Sequence, residues 1–234
     1  MSRVPPSLAD VPSYAVNLES RPERWWQTVE HLAEMGMRAP VRWLAVDGKA
    51  TTTPEELARY QARPKRGPDC RAACLGHNKS FTSLVRYLLD EGPAPWTLFL
   101  EDDVLFAEDL HPRWEKFAGL VPDDAWMVLV GGKHPHPSHP VDPEGRVWRV
   151  NHAYATHAFL VSAEGMPVLW DVTKDMVHSF DVSWNDMHRM NRTYCPDPFL
   201  AFQRDGFSDI TGRTVRHGKN MLGPGADGRG GEGL

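Results

Sequence analysis

The stretch 96–106, WTLFLEDDVLF, decides how this chain is read. Residues Trp96 to Leu100 form a nearly unbroken apolar run. A short run without polar alternation is the pattern of a strand buried on both faces, as in a sheet covered by helices on each side. Three acids come next, Glu101, Asp102 and Asp103, and then apolar residues resume. Like charges repel, and a buried carboxylate is costly unless something pairs with it. Acids placed there need a partner.

Working outward, strands and helices alternate. Tyr14 to Leu18 reads as a first strand. The segment 20–36, SRPERWWQTVEHLAEMG, reads as a helix with Ser20 as its cap, Pro22 in its first turn, Gly36 at its end and an apolar stripe of Trp25, Val29, Leu32 and Met35. A second strand over VRWLAVDG (41–48) ends in a turn, and TPEELARYQA (53–62) is a short helix. The next helix starts at Asp69 as candidate cap and buries Cys74, Phe81, Val85, Leu88 and Leu89 before Gly92. Beyond the opening stretch, DLHPRWEKFAGL (109–120) is helical, WMVLVGG (126–132) is a buried strand, and KHPHPSHPVDPEG (133–145) is a proline-broken loop. VWRV (147–150) and HAFLVS (157–162) read as strands, and EGMPVLWDVTK (164–174) and FDVSWNDMHRMN (180–191) as helices. This order predicts a single α/β domain over residues 1–217, with a mainly parallel central sheet flanked by helices. Residues 218–234 are glycine-rich and read as a disordered tail.

Composition narrows the function. The 234 residues are 41% hydrophobic and 24% charged with a formal net charge of -5, so no global field draws the chain to nucleic acid or an acidic membrane. No apolar run approaches the roughly 20 residues that cross a bilayer, and the first sixteen residues lack the apolar stretch of a secretory signal. Three cysteines cannot make a disulfide framework, which points to a reducing, cytoplasmic setting, with peripheral membrane attachment left open.

In an open α/β sheet, ligands bind beyond the carboxyl ends of the strands, where the three acids fall. Alternation along a strand lets Glu101 and Asp103 share one side while Asp102 points away. Two carboxylates on one side suit a hard divalent cation, which takes oxygen ligands and relieves their repulsion. The tripeptide equally suits a solvated acidic turn in which Asp103 caps the next segment.

Seven ordered motifs resemble one family. They are YAVNLESRPERW (14–25), WLAVDG (43–48), CRAACLGHNKSF (70–81), LFLEDDVLF (98–106), HAFLVS (157–162), FDVSW (180–184) and PFLAFQRDGFSDI (198–210). Together they resemble the family 25 glycosyltransferases, which include bacterial lipooligosaccharide sugar transferases and collagen galactosyltransferases. Gly76 departs from the pattern, standing where serine is usual. The resemblance implies a GT-A (Rossmann-like) fold, a nucleotide-sugar donor, UDP-hexose above all, and an acidic motif holding Mn2+ or Mg2+ beneath the diphosphate. Asp103 and Glu101 would then be ligands, with Asp102 an indirect one. RHGKN (216–220) is similar to the His-Gly-Asn segment of related transferases, which makes His217 a third candidate ligand and Lys219 a phosphate contact.

Other candidates lie at the same edge. Asn17, Leu18, Arg21 and Arg24 close or follow the first strand, where an arginine can clamp a diphosphate, though an exposed helix start would carry the same arginines in water. Asp47 and Gly48 can meet ribose or base, or form a plain Asp-Gly turn. His77 sits near a helix start and can reach phosphate, or be a core histidine; Lys79 is a further candidate. An inverting transfer needs a base to deprotonate the acceptor hydroxyl, and FDVSWNDMH offers Asp181, which matches the family's acidic position better, or Asp186. The acceptor class stays open: glycan, lipid carrier, protein, small molecule or modified base. Two other classes use the same features, a metal-dependent nucleotidyltransferase or phosphohydrolase, and a non-catalytic nucleotide-sugar-binding module whose site has decayed at Gly76.

Overall fold

A computed structural model describes residues 3–63, 65–133 and 139–217. Lys219, the tail 218–234, His134 and His136 lie outside the described residues. The strands are β1 (Ser13–Asn17), β2 (Val41–Leu44), β3 (Trp96–Glu101), β4 (Val104–Phe106), β5 (Met127–Leu129), β6 (His139–Pro140), β7 (Val147–Arg149), β8 (Ala158–Ser162), β9 (Thr193–Pro196), β10 (Ala201–Gln203), β11 (Gly206–Ser208) and β12 (Arg213–Val215). The helices are α1 (Pro22–Glu34), α2 (Gly48–Thr51), α3 (Pro54–Arg59), α4 (Pro68–Glu91), α5 (Leu110–Ala118), α6 (Met166–Thr173), α7 (Phe180–Ser183) and α8 (Asn185–His188).

The main sheet has the order β2-β1-β3-β8-β5-β9-β7-β6. β2, β1 and β3 are parallel, β8 inserts antiparallel between β3 and β5, and β9 returns parallel to β5. β7 and β6 alternate beyond it, so six of the eight strands point one way. The expected class, a mainly parallel α/β sheet flanked by helices, is what the chain adopts. No helix among the described residues is long and apolar enough to cross a membrane.

β3 is buried from Trp96 to Leu100, and its alternation divides the core in two. Leu98 and Leu100 pack with Leu32 of α1 and Leu110, Trp114 and Phe117 of α5. Phe99, on the opposite face, packs with Phe81, Leu84 and Val85 of α4 and with Phe180 and Trp184. Its ring stacks on Phe159 with centroids 4.9 Å apart. Each such side chain, fully withdrawn from water, contributes about 1.5–3 kcal/mol. Both faces of one strand thus anchor both helix layers.

Several boundaries differ from the sequence reading. The cap of α1 is Arg21 rather than Ser20, and α4 is capped by Gly67 with Pro68 at its first position, which puts Asp69 inside the first turn. The stretch after β2 is not a bare turn: Asp47 Oδ1 accepts from the amides of Lys49 and Ala50 and starts α2. No helix comes after the acids for Asp103 to cap, because residues 104–106 form β4, which pairs with β10. His139–Pro140 is a short strand inside the proline-rich loop. The expected helix over 180–191 breaks into α7 and α8 at Trp184, whose fully buried ring is core. The β11–β12 hairpin has no counterpart in the sequence reading.

Gly76 has a structural reason. A Cβ there would stand 2.4 Å from the Gly48 amide nitrogen and 2.6 Å from the Gly48 Cα, and a Cβ on Gly48 would stand 1.9 Å from the Ala72 carbonyl oxygen. Two glycines let the backbone of α2 rest directly on α4. Both contacts are to backbone, which cannot swing aside as a side-chain tip can. Gly76→Ser, the residue that the resemblance leads one to expect, should therefore lower stability by about 1–3 kcal/mol, read from urea unfolding. A variant as stable as the parent would show that α4 can part from α2 without cost.

Candidate active site

β1 and β3 run in register, with Val16 opposite Glu101, so their carboxyl ends share one edge with the turn leaving β2. A cleft of about 420 Å³ opens there. Leu18, Arg21, Arg24, Asp47, Gly48, His77, Glu101, Asp102, Asp103 and His217 all line it. Asn17, Lys79, Asp181 and Asp186 do not.

The three acids have separate partners. The strand stops at Glu101 and residues 102–103 turn, so strict alternation does not continue through them. Glu101 faces α4. Its Oε1 meets His77 Nε2 at 3.1 Å and accepts from the Thr156 hydroxyl, and its Oε2 accepts from Gln203 Nε2 at 3.0 Å. Burial pushes this carboxyl up, but the hydrogen bond and charge of His77, aided by Thr156 and His157, outweigh it and hold Glu101 well below the usual carboxylate range. Both its oxygens are committed to protein donors, unlike the free ligand that the sequence suggested.

Asp102 and Asp103 instead share Arg24, at 2.6 and 3.2 Å. Asp102 also accepts from Asn17 Nδ2 at 2.6 Å, yet burial raises its pKa to about 6 against the pull of Arg24 and Asn17. Asp103 is pushed up further, by burial and then by the Glu101 charge, with Arg24 opposing. Its Oδ1 is buried and accepts no hydrogen bond among the described residues. An orphaned carboxylate oxygen in the wall of a cleft is costly as it stands and suits a cation. The donor set along that wall, carboxylates with the His217 imidazole, is chemically apt for Mn2+ or Mg2+. Among the described residues no three His, Cys, Asp or Glu side chains converge as a ready-made metal centre, and Arg24 stands between the two aspartates.

The arginines are engaged as well. Arg21 grips Asp209 in a two-pronged pair at 3.0 and 2.5 Å and lies 5.6 Å from the centroid of the Phe207 ring. Arg24 reaches the same Asp209 at 3.5 Å. The β11–β12 hairpin is thereby tied to the start of α1, and residues 204–210 form one wall of the cleft. His217 arrives on that side, its amide donating to Asp205 Oδ1 at 2.8 Å. Burial lowers its pKa, with Asp205 and Glu101 opposing, so its imidazole is held neutral, the form that ligates metals.

Four expected residues play other parts. Asn17 is buried and spent: its Nδ2 donates to the Arg21 carbonyl and to Asp102, and its Oδ1 accepts two bonds from Arg42. It braces the edge and has no group left for a nucleotide. Lys79 pairs with Glu56 at 2.7 Å and ties α3 to α4. Asp181 accepts the Ala155 amide at 3.2 Å, and Ala155 takes a left-handed φ of 71°. Asp186 is exposed on α8 and pairs with Arg189 at 2.5 Å, outside the cleft. Neither aspartate lines this cleft.

Sequence reasoning missed Thr156, Gln203, Asp205 and Asp209 as site residues. The last three lie within the 198–210 motif, where that motif's density of polar residues was the available signal. Thr156 carried none.

No family profile and no curated protein matches the sequence. Among solved structures, the chain is similar to a glycosyltransferase involved in glycosylation of the major capsid of PBCV-1, at 12% identity and a TM-score of 0.46, over 85% of this chain and 94% of that one. It is similar to a mannose-1-phosphate geranyltransferase from Thermus thermophilus, at 13% identity and a TM-score of 0.39, over 86% and 76%. A galactosyltransferase solved with donor and acceptor sugar analogues matches at 11% identity and a TM-score of 0.41, over 80% and 73%. At such identities these are likenesses of fold and carry nothing about activity.

The raised pKa of Asp103 makes a signed prediction. An unfolded aspartate titrates near 3.9, so above that pH the metal-free folded state binds more protons than the unfolded state, and stability falls as pH rises. Asp103→Asn removes that proton while keeping the shape. In chelator, the variant and the parent should be about equally stable near pH 4. The variant's advantage should then grow through neutral pH, at up to about 1.4 kcal/mol per unit. Urea unfolding at several pH values checks this; a gap that stays constant or narrows would show that Asp103 is ionised throughout.

Proposed function

We propose that this chain is a metal-dependent glycosyltransferase of the family 25 type, which moves a sugar from a nucleoside diphosphate, UDP-hexose above all, to a hydroxyl acceptor. The observation that carries the reading is the unpaired, buried Oδ1 of Asp103 in the wall of a 420 Å³ cleft that also gathers Arg21, Arg24, His77 and His217. Carboxylate, imidazole and guanidinium groups on one cleft at strand ends suit a diphosphate and its counter-ion better than they suit an apolar ligand.

Asp103 would be the first ligand of Mn2+ or Mg2+, with His217 the other protein group that could join it. Glu101 and Asp102 stay outside the set, since both oxygens of each are taken. When bound, a divalent ion offsets the negative charge that develops on the departing nucleoside diphosphate. Arg21 and Arg24 supply positive charge for the phosphates at the positions where Asp209 now engages them. Leu18, Asp47 and Gly48 form the floor for the nucleoside end.

Melting curves with UDP, with and without manganese, test this together with UDP release from UDP-galactose and UDP-glucose. The expected result is a manganese-dependent rise in melting temperature and slow release of UDP. Asp103→Asn should melt no earlier than the parent without metal and should lose the manganese-dependent rise. Equal stabilisation by UDP in excess chelator would take the ion out of the reading, and release of pyrophosphate in place of UDP would assign nucleotidyl transfer.

A further inference from the structure

Asp181 and Asp186 do not line the cleft, whereas His77 does. We infer that His77 is the catalytic base, oriented by Glu101, and that it takes the proton from the attacking acceptor hydroxyl. This rests on the sugar-transfer reading.

The geometry is that of an acid–imidazole pair. His77 Nε2 stands 3.1 Å from Glu101 Oε1. In the tautomer that donates from Nε2 to the Glu101 carboxylate, the ring's lone pair lies on Nδ1. Nδ1 has no hydrogen-bond partner among the described residues, and His77 lines the cleft. The ring is fixed on its other side by Phe81, at a centroid distance of 4.8 Å. A carboxylate behind an imidazole fixes its tautomer and stabilises the imidazolium that forms when it takes a proton.

The surroundings serve the same pair. Thr156 donates to the Glu101 oxygen that His77 meets and lies 3.1 Å from Nε2. Asp181 holds the Ala155 amide, and so the backbone that presents Thr156, which makes Asp181 a positioning residue. Gln203 fills the other Glu101 oxygen. The step balances: the acceptor oxygen bonds to the anomeric carbon, its proton moves to His77 Nδ1, the bond from that carbon to the diphosphate breaks, and the nucleoside diphosphate leaves with the electron pair. A histidine here does not compete for the ion, because both oxygens of its partner Glu101 are engaged by protein donors.

Azide separates a base from a structural residue, because it attacks as an anion and has no proton to lose. With UDP-galactose or UDP-glucose and manganese, two rates are measured on the full chain and on His77→Gln and His77→Asn: UDP release to water, and formation of glycosyl azide by mass spectrometry. UDP release to water should fall about a hundredfold or more, the scale of losing a general base. Glycosyl azide formation should stay within a few fold of the parent, and the manganese-dependent melting shift with UDP should persist, showing that the variants fold and bind. Parallel loss of both rates, or no loss of either, overturns the assignment while leaving sugar transfer standing. A parent chain that turns over neither donor with either nucleophile overturns sugar transfer, and the base with it.

Discussion

Arg24 lies between Asp102 and Asp103, and the edge of the sheet is organised around that contact. Three consecutive carboxyls at the end of a buried strand would repel one another and lose their hydration together. The chain resolves this by giving the first acid to His77, Thr156 and Gln203 and the next two to one guanidinium. Arg24 can do this because α1 starts directly after β1, the neighbour of β3. Asn17, at the end of β1, bonds Asp102 and the Arg21 carbonyl and so fixes the first turn of α1 over the acids. Removing one member of such a network leaves the others buried and unpaired, which costs more than any single contact returns.

Charge balance around the cleft is nearly closed, with one exception. Arg21 and Arg24 meet Asp209, Lys79 meets Glu56, and Glu101 is saturated. Among the described residues, Asp103 Oδ1 alone of the cluster's carboxylate oxygens is buried without a partner. Proteins keep such an atom where a ligand or ion completes it, or where the group holds a proton. The raised pKa of Asp103 is the second state and a bound cation the first, and they exclude each other. The same carboxyl thus links protonation, stability and ligand binding at one position.

The hairpin of β11 and β12 is the other element on which the site depends. Together with Gln203, Arg204 and Asp205 just before it, it brings Phe207, Asp209 and then His217 to a cleft whose other lining residues come from the first half of the chain. The Gly48–Gly76 contact has a comparable role on the opposite wall, since it sets how near α4, and with it His77, can come to the turn after β2. Gly76 thus has a packing reason of its own. It is the residue that lets two backbones touch.

Local pattern determined much of this protein. The burial of β3, the alternation of strands and helices, the length of α4 and the position of three acids at a strand end were all legible, because each depends on side-chain periodicity over a few neighbouring residues. Six of the ten binding and metal candidates that line the cleft, Leu18, Asp47, Gly48 and the three acids, come from the single rule that strand ends form the ligand edge; Arg21, Arg24 and His77 join them through helix starts, and His217 through its resemblance alone. Partnership was not legible. Arg21 meets an aspartate 188 residues away, Glu101 meets a threonine with no local signal, and Asn17 is consumed by Arg42. Asp181 and Asp186 sit in an acidic segment that suggests a base, yet the break at Trp184 turns one toward the Ala155 amide and the other to solvent. Only the tertiary structure decides such pairings, because a buried charge takes whichever partner folding brings within reach.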